Sequence, residues 1–263
     1  MKNRDIVELL EKLAPKELAC GWDNTGLQAG SLETEFTGVY IALDATPETV
    51  QDAIGKGCSL LVTHHPLLFS PVSSVTDQTV TGRMILAMIR AGLSCYSMHT
   101  SYDKTVGGMA DAAAKRLGLT DCIPLEEAGE DGSGIGRVGR LSFGRPVNVR
   151  EFARFVKDAF DIPAAALYTK DEEQIITKAA ILPGSGKSEW TLAMDAGAEV
   201  YVTGDMNYHT ALDAVNAGLT VIDAGHDGIE KLFTEEIRDY LLNNIHNNDL
   251  IYTQKWVSIS KYI

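Results

Sequence analysis

The chain has 263 residues, of which 45% are hydrophobic and 7% aromatic, a composition that supports one large domain or two smaller ones with a sizeable core. Acidic residues outnumber basic residues by 36 to 23, and the formal net charge of −13 disfavours nucleic acid or an anionic membrane surface as a partner. The N-terminus, MKNRDIVELLEKLAPKELACGW, lacks a signal-peptide core, and no uncharged apolar run approaches the roughly 18 residues of a membrane span. We therefore expect a cytoplasmic protein, with its four cysteines reduced because no Cys-x-x-Cys spacing occurs.

Strands and helices alternate in the predicted elements. In chain order they are a strand at 38–44, a helix at 46–57, a strand at 59–65, a helix at 81–92, a strand at 93–99 and a helix at 107–118. This alternation predicts an α/β fold with a sheet that is parallel at least in part. A Gly-rich acidic stretch at 125–137 is the candidate boundary or loop.

The chain repeats this pattern in its second half. The segment from Ile41 to His65 aligns without a gap with the segment from Ile181 to Asp205, and both end their second strand in Val-Thr. The identical pairs are Ile41/Ile181, Ala53/Ala193, Gly57/Gly197, Val62/Val202 and Thr63/Thr203. We interpret the repeat as a duplicated α/β unit.

Side chains with metal-binding or acid–base chemistry follow the predicted strands in both copies. They are His64, His65, His99 and Asp103 in the first copy and Asp205, His209, His226 and Glu230 in the second. Ligands of α/β sheets bind at the carboxyl ends of strands, and imidazole with carboxylate suits zinc, iron, manganese or cobalt better than calcium. Of the six histidines, His246 alone lies elsewhere, in a polar tract. The pattern predicts a divalent-metal site.

The adjacent pair His64 and His65 favours two ions over one. Neighbouring side chains of a strand point in opposite directions, so the pair does not readily chelate one ion. Where the strand ends and twists, the two imidazoles can serve ions about 3.5 to 4 Å apart, an arrangement of many hydrolases that requires a bridging ligand. Asp103 and Glu230 are the available bridges, and the hypothesis is a dinuclear centre.

Structural explanations stay open for several of these residues. A His-His pair before proline also ends a strand without binding anything. Asp227 and Glu230 fit the N-cap and third position of a helical capping box, and Asp103 can begin a turn before two glycines. Trp22, Asp23 and Asn24 either line the site or brace the first helix, and we expect Trp22 to be buried in a core.

The stretch PGSGKS, residues 183–188, ends like a phosphate-binding loop. Such a loop requires a glycine where this chain has Ile181. We interpret the stretch as a strand-to-helix turn.

Four segments together resemble the Nif-three-like family of dinuclear metal-binding proteins, often labelled GTP cyclohydrolase I type 2, along nearly the whole chain. They are WDNTGLQAG from Trp22, LVTHHPLLF from Leu61, HTSYDKTVGGMADAAAKRLGL from His99, and VTGDMNYHTALDAVNAGLTVIDAGHDGIEK from Val202. The resemblance implies the compact form, without the domain that longer members insert in mid-chain. It implies two similar, intertwined α/β units with mixed sheets flanked by helices, which we place at 1–126 with 230–263 and at 127–229, and a metal cleft between them.

The resemblance also implies a site and a reaction. The residues that would hold two divalent ions per chain are His64, His65, Asp103, His226 and Glu230, with Glu230 as the bridge. His99 and His209 would line the site and move protons while a metal-bound hydroxide opens the imidazole ring of GTP and formate leaves. The implied assembly is a homohexameric ring.

Two alternatives stand beside this reaction. One is a metal-dependent phosphoesterase, and the other is a non-catalytic metal-binding or scaffold protein. Five strong ligands do not saturate two ions, and open coordination positions favour catalysis.

Overall fold

The computed structural model describes residues 1–245 and 250–261, so His246 lies outside the described residues. The chain divides into two compact units, Met1–Thr105 with Phe233–Trp256 and Val106–Leu232 with Val257–Ile263. Of the helices in the described part, none combines the length and the apolar character needed to cross a membrane.

Short strands and helices alternate through most of the chain. The strands are β1 Gly26–Ala29, β2 Val39–Ala42, β3 Leu60–Thr63, β4 Ser94–Ser97, β5 Leu119–Ile123, β6 Glu126–Glu127, β7 Gly134–Ile135, β8 Arg137–Leu141, β9 Val147–Asn148, β10 Ala166–Tyr168, β11 Ile175–Ile176, β12 Lys178–Ser185, β13 Val200–Gly204, β14 Thr220–Asp223 and β15 Ile251–Thr253. The helices are α1 Asn3–Leu13, α2 Pro47–Gly55, α3 Val80–Ala91, α4 Thr100–Lys104, α5 Met109–Arg116, α6 Val149–Ala159, α7 Trp190–Asp195, α8 Tyr208–Ala217, α9 His226–Glu230 and α10 Leu232–Asn244, with a 3₁₀ turn at Lys16–Leu18.

The first unit is built on a sheet whose described strands have the order β1-β4-β3-β2-β15. Strands β2, β3 and β4 are parallel, β15 joins β2 in parallel, and β1 pairs antiparallel with β4. The three central strands are buried along their whole length, as is usual for parallel strands covered on both faces. Because they are parallel, their carboxyl ends meet at one edge of the sheet.

Local sequence signals explain where the helices of this unit begin and end. The Thr46 hydroxyl accepts a hydrogen bond from the Thr49 amide at the start of α2, and Pro47 occupies the first helical position. Helix α3 ends at Gly92, whose φ of +70° is a left-handed conformation that glycine adopts without a Cβ penalty. The strand and helix predictions for the first copy are confirmed, with ends shifted by one or two residues.

The second unit carries the other large sheet, with the described order β10-β14-β13-β12-β8-β5. Strands β12, β13 and β14 are parallel, whereas β10 pairs antiparallel with β14 and β8 antiparallel with β12. The segment at 125–137, predicted as a loop or boundary, contains the small hairpin β6–β7.

The two sheets share one topology, which supports the predicted duplication. In each sheet, helices connect three successive parallel strands, and a further strand pairs antiparallel with the last of the three. Thr63 and Thr203, aligned in the sequence, lie at the carboxyl ends of the equivalent strands β3 and β13. The mixed α/β fold with flanking helices is confirmed.

The cysteines are free thiols, as predicted. Cys95 in β4 and Cys58 just before β3 are buried. Burial raises the pKa of Cys58 to about 11 and that of Cys95 to about 12, because an apolar environment disfavours the thiolate. Both thiols are therefore protonated at neutral pH and serve as core residues.

Candidate metal-binding residues

His64 and His65 lie side by side directly after β3. The strand ends at Thr63, whose hydroxyl donates to the His65 carbonyl at 2.7 Å and closes a tight turn. The two imidazole centroids are 4.8 Å apart. The alternation of a regular strand therefore no longer applies here, and both rings reach the same edge of the sheet.

His99 completes a group of three imidazoles in the first unit. It follows β4 and precedes α4, and one ring nitrogen from each of His64, His65 and His99 lies within 4.8 Å of the other two. Asp103 lies one turn later in α4, with its Oδ1 3.6 Å from His64 Nε2. Asp103 is thus a helical residue that faces the histidines, and the alternative of a simple turn residue is wrong.

An oxygen acceptor fixes the orientation of each ring in this group. His64 Nδ1 lies 3.1 Å from the Met98 carbonyl and His65 Nδ1 lies 2.8 Å from Asp44 Oδ1. Since a carbonyl or carboxylate oxygen only accepts, Nδ1 carries the hydrogen in both rings. The Nε2 atoms then present lone pairs, which is the tautomer that binds a metal ion.

The His99 ring is held by a buried carboxylate. Asp23, whose side chain is fully buried, accepts hydrogen bonds from His99 Nδ1 at 2.9 Å and from the Thr100 amide and hydroxyl at 3.0 and 2.6 Å. Burial raises the pKa of Asp23, but these hydrogen bonds outweigh it and lower the pKa to about 2. Asp23 is therefore a permanent anion at neutral pH that fixes the tautomer of His99.

His226 and Glu230 form the matching pair in the second unit. They stand one turn apart in α9, with His226 Nε2 2.9 Å from Glu230 Oε2, and Glu230 is buried. The helix begins directly after Gly225, whose φ is +78°. The capping-box alternative is wrong, because Asp227 lies inside the helix and Gly225 occupies the N-cap position.

Asp205 accepts a hydrogen bond from His226 Nδ1, as Asp44 does from His65 Nδ1. Its Oδ2 lies 2.8 Å from His226 Nδ1. The backbone of Asp205 has a φ of +56°, a left-handed conformation that costs energy in a residue with a Cβ. The fold accepts this strain at the residue that orients His226.

Gly184 leaves the space that the Glu230 carboxylate occupies. It lies near the end of β12, has a φ of +74°, and a Cβ built on it would overlap Glu230 Oε1. The stretch that resembled a phosphate-binding loop therefore ends a strand beside Glu230. Two hydrogen bonds hold Gly186, the first residue after β12, to β13. Its amide donates to the Thr203 hydroxyl at 3.0 Å, and its carbonyl accepts from the Tyr201 hydroxyl at 2.8 Å.

Two further residues that the sequence singled out, His209 and Trp22, are exposed. His209 is exposed in the first turn of α8, 5.3 Å from the Tyr208 ring, and within the described residues it belongs to none of the groups able to hold a metal. The expected burial of Trp22 is wrong, since 65% of this residue is exposed.

The donor set fits a divalent cation. In the second unit the His226 ring lies between two carboxylates, those of Asp205 and Glu230, and in the first unit the His64 lone pair faces Asp103. Lone pairs that face carboxylate oxygens repel one another unless a proton or a metal ion lies between them. Imidazole nitrogens with carboxylates are ligands of zinc, iron, manganese and cobalt.

Sequence reasoning missed Asp44 and Gly184, and it left open whether Asp23 lines the site. Asp44 ends the predicted strand GVYIALD, so its position at a strand end was a readable signal. Asp23 and Gly184 had no such signal, because their partners are 76 and 46 positions away in the sequence.

We predict that Asp205→Gly weakens metal binding by about 10- to 100-fold, the usual effect of removing an acceptor behind a histidine ligand. Glycine tolerates the positive φ, so the backbone should persist. Competition with a chromogenic chelator measures the affinity. The matched control is Asp121→Gly, which makes the same change at another aspartate with positive φ, 53°. Equal affinities in the two variants would contradict the role of Asp205.

Comparison with known proteins places these residues in a family context. The family model of Duf34/NIF3 (NGG1p interacting factor 3) matches residues 1–257. A Clostridium perfringens protein named GTP cyclohydrolase 1 type 2 homolog is 36% identical over 227 residues, which cover 86% of each chain. A protein of the same name from Methanocaldococcus jannaschii is 32% identical, over 93% of this chain and 96% of its own.

Solved structures with the same fold cover almost the whole chain. Reduced HcgD from Methanocaldococcus jannaschii is 31% identical, with a TM-score of 0.82 over 97% of this chain and 98% of that one. Staphylococcus aureus protein SA1388 is 28% identical, with a TM-score of 0.90 over 100% and 99%.

Proposed function

Because the chain belongs to the Duf34/NIF3 family, we propose that it is a divalent-metal-dependent hydrolase that acts on a guanine nucleotide. The observation that carries the proposal is a set of three histidines whose Nδ1 atoms are each held by an oxygen acceptor, namely His64, His65 and His226. Such outer acceptors accompany metal-ligating histidines. The name shared by the relatives supplies the substrate class, GTP.

The ligands in this proposal are those that the family resemblance names. They are His64, His65, Asp103, His226 and Glu230, and they hold two ions of zinc, iron, manganese or cobalt per chain. When bound, the ions supply Lewis acidity, which makes water nucleophilic near neutral pH and offsets the charge of the nucleotide phosphates. An acidic chain with a net charge of −13 requires such a positive centre to bind a polyanion.

His99 accepts the proton of the attacking water in this proposal. Its Nδ1 hydrogen is engaged by Asp23, so Nε2 is the basic atom, and the ionised Asp23 stabilises the imidazolium that forms. We assign the return of a proton to the leaving ring nitrogen to His209.

The reaction is the hydrolysis of the imidazole ring of guanine. One water molecule adds to the ring carbon between the two nitrogens and one carbon–nitrogen bond breaks, which leaves a formamide. A second water molecule breaks the other carbon–nitrogen bond and releases formic acid, which ionises to formate. Of the four hydrogens of the two water molecules, one ends on the ring nitrogen that carries the ribose, two end on the other nitrogen, and one leaves with the formic acid.

The test is formate release from GTP by protein loaded with each of the four metals. We expect formate in proportion to the GTP consumed, and a rate lower by about 10²- to 10⁴-fold in His99→Gln with an unchanged metal content. If GTP persists while p-nitrophenyl phosphate is cleaved, the protein is a phosphoesterase. If ions bind and neither compound is consumed, it is a metal-binding or scaffold protein.

We propose further that the protein works as a cytoplasmic homohexamer, the assembly that the family resemblance implies. Light scattering coupled to gel filtration should then give a mass six times that of the chain. A monomer or dimer at micromolar concentration would contradict this assembly.

A further inference from the structure

Two large aromatic side chains of the first unit stand exposed beside each other. Trp22 is 65% exposed and Phe69 is 63% exposed, and their ring centroids are 6.0 Å apart with the planes tilted by 54°. Both residues belong to types that folding usually removes from water, at a gain of about 25 cal/mol per Å² of apolar surface. The exposed pair forgoes this gain.

The pair adjoins the imidazole group. The Trp22 and Phe69 rings each meet His99 nearly edge-on, with centroid distances of 5.9 and 6.2 Å and interplanar angles of 73° and 71°. The His99 ring in turn lies 5.5 Å from that of His65. The edge-on contacts place two aromatic rings directly beside the histidine to which we assign proton transfer.

Hydrogen bonds hold the two aromatic segments to each other. Asn24, two residues after Trp22, donates from Nδ2 to the Leu68 carbonyl at 2.7 Å. The Leu68 amide donates to Gln28 Oε1 at 3.2 Å, and Gln28 is buried. The loop with Trp22 is thereby fastened to the residue before Phe69, so the position of the pair is set in advance of any ligand.

We propose that Trp22 and Phe69 hold the flat heteroaromatic ring of a small-molecule substrate beside His99. Aromatic side chains stack on any planar base. Because this contact does not rely on attraction between opposite charges, the negative net charge of the chain does not weaken it. The surface area of two rings is far below the roughly 1,000 Å² that a stable protein interface buries. The size of the pair therefore favours a small ligand. The inference rests on the proposed function for the location of the substrate and adds the residues that select a ring.

The test compares binding of guanosine 5′-monophosphate with binding of ribose 5-phosphate, which lacks the base, by calorimetry on the full chain. We expect the nucleotide to bind about 100-fold more tightly, with about tenfold from each of the two rings. Trp22→Ala and Phe69→Ala should each remove about tenfold of its affinity and leave ribose 5-phosphate binding unchanged. Trp22→Phe should restore most of the loss. The control is Ile89→Ala in α3, where the side chain is 59% exposed and makes none of these ring contacts.

Equal binding of the two probes to the wild type, or no binding of either, would overturn the proposal. So would wild-type nucleotide affinity in both alanine variants. A change in oligomer mass with unchanged affinity would assign the pair to an interface between copies of the chain. The binding assay needs no turnover, and metal content is measured in every variant. Binding therefore tests the aromatic pair, while formate release tests the hydrolase proposal independently.

Discussion

Elemental analysis of untagged protein is expected to find about two divalent ions per chain, and much less in His65→Ala and in Glu230→Gln. His65→Ala removes the imidazole ligand, and Glu230→Gln replaces a charged carboxylate oxygen with an NH2 group that cannot coordinate a cation. The loss of affinity should therefore exceed the about 10- to 100-fold that loss of an outer acceptor costs. Glutamine preserves the shape of the buried Glu230 while it removes the charge. Ions should also stabilise the wild type by about 2.7 kcal/mol at 100 times their dissociation constant, and the variants by less.

The control for this experiment is His209→Ala, which removes an exposed histidine that we do not assign as a ligand. Its metal content should equal that of the wild type. Loss of ions in one of the two ligand variants alone would restrict the metal to the residues of one unit. A wild type that takes up no ion after reconstitution with iron, zinc, manganese and cobalt would refute the metal centre.

Gly184→Ala is expected to lower metal binding as strongly as Glu230→Gln, although Gly184 carries no ligand atom. The added Cβ would overlap Glu230 Oε1, so the carboxylate must leave its position. The left-handed φ of +74° adds a backbone cost of about 1 to 2 kcal/mol. Metal titration and urea unfolding measure the two effects separately.

The matched control is Gly197→Ala. Gly197 has nearly the same φ, +75°, and a Cβ there would meet only the end of the Lys178 side chain at 3.7 Å. Both variants should therefore have a lower free energy of unfolding because of the backbone strain, and only Gly184→Ala should also lose metal affinity. If the two variants bind metal equally well, the contact between Gly184 and Glu230 does not position the carboxylate.

The fold was largely predictable because its signals are local. Thr46 with Pro47 and the left-handed Gly92 mark helix ends in the sequence itself, and the buried strands β2 and β3 read as apolar runs. The gapless repeat from Ile41 and from Ile181 predicted the strand–helix–strand segment that the two sheets share.

The strand-end histidines were predictable for the same reason, since parallel strands bring their carboxyl ends to one edge. What could not be read locally was the orientation of each ring. Asp44, Asp23 and Asp205 reach their histidines from 21, 76 and 21 positions away, and strand order decides such contacts. Propensity also misplaced Trp22, which hydrophobicity alone would bury.

The sequence by itself determined the α/β class, the duplication and the identity of the histidines and carboxylates, because periodicity and motif spacing are properties of short segments. Tertiary structure decided the tautomer of each imidazole, the space beside Glu230 and the exposure of the aromatic pair. Each of these depends on atoms brought together from distant segments, and the free energy of such contacts arises only when the sheets have formed.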